Sequence, residues 1–133
     1  MANATGQFKT NLNTLTVRID TNLSSKEGYL VTMDTTDDLV VNLAAAATSS
    51  LFVLEQGADG SSAETVGVIA LPGSVTKVKA GGAISAGDKI TSDGNGAGIA
   101  TITDKNNYAG FALENAANGD MFLMLVLPGT LSV

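Results

Sequence analysis

The chain has 133 residues, 44% of them apolar and 15% charged, with a net charge of −6 and no Cys, His or Trp. Without Cys and His there is no disulfide frame, no thiol nucleophile, no Cys- or His-based zinc site and no Ser-His-Asp or Cys-His arrangement. The acidic balance, with no basic cluster, speaks against a nucleic-acid partner, and the bulky apolar run Met121–Leu127 is too short to cross a bilayer as a helix.

Residues 1–14 have no hydrophobic period and no apolar stretch of signal-peptide length, so they are expected to be a polar arm. The arm and its junction with the next segment carry three apolar studs, Phe8, Leu12 and Leu15, which are the candidate contacts of the arm with a partner. From residue 15 onward the pattern is that of short strands rich in Val, Ile, Leu, Thr and Phe between turn clusters. The expected strands are Tyr29–Met33, Leu39–Leu43, Leu51–Leu54, Val66–Leu71, Lys89–Ser92, Ile99–Thr103, Tyr108–Leu113 and Met121–Leu127. Ala86-Gly87-Asp88, Asp93-Gly94-Asn95-Gly96, Asn118-Gly119-Asp120 and two Pro-Gly pairs supply turns. The one helical candidate is Asn42–Ser50, too short to be stable alone.

Shifting the sequence by 59 residues places Gly28 on Gly87, Thr32 on Thr91, Asp34 on Asp93, Phe52 on Phe111, Leu54 on Leu113, Glu55 on Glu114, Ala58 on Ala117 and Gly60 on Gly119. After a shortening of three residues, Leu71-Pro72-Gly73 falls on Leu127-Pro128-Gly129. The organisation expected is an arm, 1–14, and one β domain, 15–133, made of pseudo-repeats 15–73 and 74–133. A unit of that size made only of short strands is marginal alone, so the two should share a core. The fold class is all-β, a small β-barrel or sandwich of β-clip type.

The chemistry left to such a chain is limited. Asp93 to Asp104 has the length of a calcium loop, but its fifth position is Ala97 and its flanks read as strands, so a hairpin turn explains it. Asp34 with Asp93, and Glu55 with Glu114, are the paired carboxylates that a pseudo-twofold could bring together for hydrolysis. The simpler reading is that the Asp pair caps turns and the Glu pair ends strands. Asp104-Lys105 has the look of a lipoyl-carrier tip, but Asn106 follows where a small apolar residue is usual. No catalytic residue, cofactor or metal site is assigned. In the last strand Met121, Leu123, Leu125 and Leu127 alternate with Phe122, Met124 and Val126, and both faces are apolar. One face belongs in the core. The other is expected under the Ala44–Ala47 segment or a neighbouring subunit, and Phe122, Met124 and Val126 are the candidate subunit-interface residues.

The run Val78-Lys79-Ala80-Gly81-Gly82-Ala83-Ile84-Ser85-Ala86-Gly87-Asp88-Lys89-Ile90-Thr91-Ser92-Asp93, the later Gly110-Phe111-Ala112-Leu113-Glu114 and the closing strand Met121–Leu127 resemble the capsid cement, or head-decoration, proteins of tailed bacteriophages. The resemblance covers about residues 75–129, extends more weakly through the repeat to 28–73, and leaves out the first 14. It implies a non-enzymatic virion protein on the outer surface of an assembled head. There it would bind the major capsid protein, bridge neighbouring subunits and act as a homotrimer, with residues 1–14 ordering on the capsid. The competing readings are a head fibre or carbohydrate-recognition module, which the 5% aromatic content disfavours, and a small hydrolase using Glu55 and Glu114.

Overall fold

The structure is a computed structural model in which residues 13–45, 51–62 and 65–132 are described. Their regular structure is ten strands and no helix. Strands β1 (Thr14–Arg18), β2 (Leu30–Met33), β3 (Val41–Leu43), β4 (Phe52–Gln56) and β5 (Val66–Ala70) form one sheet in the order β1-β5-β4-β2-β3. Strands β6 (Val75–Lys79), β7 (Lys89–Ser92), β8 (Gly98–Ala100), β9 (Asn107–Ala112) and β10 (Met121–Thr130) form the second in the order β6-β10-β9-β7-β8. Position for position the two orders are the same, so the sequence repeat is a repeat of topology. Each sheet curls until its edges meet, through a parallel bridge of Arg18 with Val40 in the first and of Ala80 with Gly98 in the second. The result is two small barrels, each closed at one seam by little more than that bridge.

The interiors fill differently. Val17, Ile19, Leu23, Val31, Val41, Leu54 and Ile69 form the core of the first barrel. In the second, Val78, Ile90, Ala112, Phe122 and Met124 join one continuous cluster with Leu30, Leu51, Val53 and Ala70, which project from the outer face of the first barrel. That sheet is therefore buried on both sides, and its outer face is the junction between the barrels. Near full burial of these aliphatic and aromatic side chains is the main favourable term, at roughly 1.5–3 kcal/mol each.

Hydrogen bonds give the true correspondence of the repeats. The Gly28 N–H donates to the Leu54 carbonyl as Gly87 does to Ala112, both at 2.8 Å. The Asp34 N–H donates to Val40 as Asp93 does to Ala97. Ala44 donates to Leu30 as Thr101 does to Lys89, and Leu71 to Asn13 as Val126 does to Ser74. A constant shift of 59 therefore holds for β2 with β7 but slips elsewhere. Leu43 corresponds to Ala100 rather than Ile102, and Leu54 to Ala112 rather than Leu113. Phe52 corresponds to Gly110 and not to Phe111. A slip of one residue in a strand reverses the side chain. Phe52 accordingly packs against the interior of the first barrel, while Phe111 lies on the outer face of the second.

All eight expected strands are present, with ends displaced by a few residues. Two were not anticipated, β1 and β6, the edge strands Thr14–Arg18 and Val75–Lys79. Their ladder partners are β5 and β10, and on the other side each makes only isolated bonds, Arg18 with Leu39 and Lys79 with Gly28. The helical expectation over Asn42–Ser50 is corrected in part: Asn42 and Leu43 belong to β3, where both pair with β2. Residues 46–50 lie outside the described ones.

Candidate docking surfaces

The polar side chains singled out by the sequence hold turns. Asp34 Oδ1 accepts the Thr36 N–H and hydroxyl, both at 2.7 Å, and the Asp37 N–H, while Oδ2 accepts the Asn42 amide at 3.1 Å. The backbone donation from Thr36, followed by its hydroxyl and the Asn42 amide, favours the carboxylate and lowers the Asp34 pKa from 3.8 to about 2. Asp93 stands in the matching place, and its Oδ1 accepts the Asn95 and Ala97 N–H groups. The segment that has the length of a calcium loop is thus the β7–β8 turn, with its first carboxylate already committed to the backbone.

A stability prediction follows for Asp34. Its folded pKa lies below its unfolded one, so its contribution is complete above pH 3.8 and disappears as the pH falls through about 2. Asp34→Asn is expected to lower the thermal midpoint at pH 7, with the gap to wild type closing between pH 4 and pH 2. A pH series of melting curves on both proteins checks this. A gap independent of pH would contradict it.

The glutamates are not repeat mates, because the pairing of Leu54 with Ala112 puts Glu114 opposite Gln56 in the repeat. Glu55 lines a cleft of about 310 Å³ with Glu27, Gly28, Thr76, Lys77 and Met121. Glu114 holds the turn before β10 by accepting the Leu123 N–H at 3.0 Å. Among the described residues, no three His, Cys, Asp or Glu side chains are grouped to hold a metal ion.

The apolar surface is more informative. Of the arm studs, Phe8 and Leu12 lie outside the described residues. Leu15 is on β1 opposite Ile69, partly exposed at the free edge. Phe122, Met124 and Val126 are buried in this chain's own core, at 0–2% exposure, so as interface residues they are corrected. The pleat turns the alternate residues outward. Met121 and Leu127 are exposed, and Leu123 and Leu125 half-buried. Leu125 stands opposite Val75 on one side and Phe111 on the other, and Phe111 opposite Lys89. Directly opposite residues share a face, so Val75, Leu125, Phe111 and Lys89 form one row across the second barrel. Val75, Leu113, Met121 and Leu127, each 41–53% exposed, add to the apolar surface of this barrel. The row could not be read from the sequence, because Lys89 and Phe111 become neighbours only through the β7–β9 pairing. A separate shallow groove of about 310 Å³ runs between Leu51 and Phe52 of the first barrel and Tyr108, Pro128 and Thr130 of the second.

A small chain with two fused barrels, carboxylates engaged in turns and a partly open apolar face has the build of an assembly component. The sequence matches the phage cement protein family over residues 9–127. The chain belongs to that family. No curated protein sequence matches it. Among solved structures it is similar to the N base of the head fibre protein gp8.5 of bacteriophage phi29, with a TM-score of 0.65 and 22% identity over 85% of this chain and 92% of that one. At that identity the likeness concerns the fold, which it supports across both barrels. Membership makes this cement protein a non-enzymatic structural component of a phage virion, carried on the capsid exterior.

Proposed function

We propose that this protein decorates the outer surface of an assembled phage head as a homotrimer and stabilises the shell by bridging neighbouring major capsid subunits. The family match over residues 9–127 carries this reading. The build of the fold supports it. A clamp needs rigidity, and two barrels joined through one apolar cluster supply it. It needs contacts that repeat around a symmetry axis, and three linked copies bind with avidity even when each contact is weak. It also needs an adaptable element. The arm preceding β1 is that element, with Phe8, Leu12 and Leu15 as its anchors and strand addition to a capsid sheet as its mode.

Binding the purified protein to heads that lack it tests this directly. Saturable density on the outer surface at threefold or quasi-threefold positions, with the decorated heads more resistant to heating than bare ones, is the expected outcome. Density over the centres of capsomers, or decoration without a gain in resistance, would overturn the bridging role. The likeness to a head-fibre base favours one second reading, in which the same body anchors a structure projecting outward. The same map separates the two by whether density continues beyond the barrels.

A further inference from the structure

The outer face of the second barrel has a counterpart whose occupant is known. In the first barrel the row across β1, β5, β4 and β2 is Thr14, Ala70, Val53 and Leu30. Its mate in the second barrel, across β6, β10, β9 and β7, is Val75, Leu125, Phe111 and Lys89. Ala70, Val53 and Leu30 are fully buried, and what buries them is the second barrel of the same chain. Val75 is 53% exposed, and Leu125, Phe111 and Lys89 are half-buried. The face used once inside the chain is therefore present again, partly open, on the second barrel.

We propose that this face docks on the first barrel of a second copy of the chain, continuing the junction between the barrels head to tail from one copy to the next. Three contacts of the internal junction predict the external one. The Leu30 N–H donates to Gly96 at 2.7 Å, the Lys79 N–H to Gly28 at 2.9 Å, and the Ser92 hydroxyl to Ala44 at 2.7 Å. Through the repeat these pairs become Lys89 against Leu39, Gly87 against Arg18, and Thr101 against Met33 of the next copy.

At Gly96 a Cβ would lie 3.0 Å from the Leu30 carbonyl and from the Leu43 side chain, and across the proposed contact the mate of Leu43 is the smaller Ala100. Leu39 takes the place of Gly96, and both have positive φ, 60° and 90°. A leucine there is held in a conformation that costs a branched chain energy, with half of its surface open to water. The charges beside Leu39 and at the end of the row are of opposite sign. Eight of the thirteen acidic residues lie in 15–73, and Asp37 and Asp38 directly precede Leu39. Lys89 ends the row on the second barrel, whereas Lys77 lines the internal cleft with Glu27 and Glu55. The Lys89 ammonium sits 5.4 Å from the Phe111 ring centre and 5.8 Å from that of Tyr108, at the rim of the face. Lys89 in the place of Leu30 puts one charge at the end of an otherwise apolar row, as suits a junction between separable chains.

A head-to-tail contact is heterologous, so it builds a ring where the rotation closes. Closure at three copies rests on the homotrimer reading and would arrange six barrels around one axis. The absence of Cys allows a clean test on the full chain. Under mild oxidation the doubly substituted K89C/L39C protein is expected to form reducible covalent oligomers ending at the trimer mass. A mixture of the K89C and L39C proteins should give dimers, and each alone should stay uncoupled. Phe111→Glu should weaken association by roughly tenfold or more with unchanged circular dichroism. Coupling of K89C with itself would overturn the head-to-tail geometry. An oligomer by light scattering that never couples in the K89C/L39C protein would overturn this face while leaving the trimer intact. A protein that is monomeric at every concentration and uncoupled would overturn both.

Discussion

Phe122→Ala is expected to cost about 3–5 kcal/mol, the largest loss from any single side chain here. Phe122 is fully buried, stands opposite Val78 across the β6–β10 pair, and belongs to the cluster that joins the two barrels. Domains of this size are stable by only about 5–15 kcal/mol, so the variant should lose a large share of its margin. A fall in the urea midpoint at unchanged slope is the signature to look for. The repeat provides a second, more specific expectation. The mate of Phe122 is Gly67, and a Cβ at Gly67 would meet the Ile19 side chain at 2.9 Å. The mate of Ile19 is Ala80. One barrel thus fills this place from the interior strand and the other from the edge strand, with a large residue facing a small one in each. Ala80→Ile alone should overpack and destabilise the protein. Combined with Phe122→Ala it should recover part of the loss, the coupling expected of two positions that fill one space. Additive losses would show that the two positions do not share one space.

Removal of residues 1–12 should leave the fold intact and abolish decoration of heads. The cut must spare Asn13 and Thr14. The Asn13 carbonyl accepts the Leu71 N–H at 2.9 Å, and Thr14 pairs with Ala70, so a deletion through residue 14 would also damage the edge of the first barrel. The expected result is an unchanged melting transition and light-scattering mass beside a loss of sedimentation with heads. Full occupancy by the truncated protein would take the arm out of the docking mechanism and pass that role to the barrels. The two predictions are independent, because the first concerns the stability of the body and the second the attachment proposed for the arm.

Turn chemistry and duplication were legible in the chain itself. Asp34 and Asp93 could be read as turn caps because a short carboxylate followed by Thr, Gly or Asn engages nearby N–H groups wherever the fold places it. The central strands were legible because their residues are nearly all β-branched, aromatic or aliphatic. β1 and β6 were missed because edge strands are buried poorly and mix Thr, Lys and Arg with their apolar positions. The alternation of Val75, Lys77 and Lys79 with Thr76 and Val78 was the available signal. The glutamate pairing failed because similarity of residue type drew Phe52 onto Phe111, whereas the backbone pairs them one residue apart.

By itself, then, the sequence determined that this protein is a duplicated β structure whose composition offers no thiol or imidazole chemistry. Composition, turn residues and internal similarity are local properties, and these conclusions need no more. The tertiary structure alone decided which face of Met121–Leu127 is inside. Both alternating sets are apolar, so no hydrophobic pattern could choose between them. Pairing with Val75, Phe111 and Lys89 chose, burying Phe122, Met124 and Val126 and turning Leu123 and Leu125 outward. The face available to a neighbour was settled by strand register, a relation between residues distant in the chain.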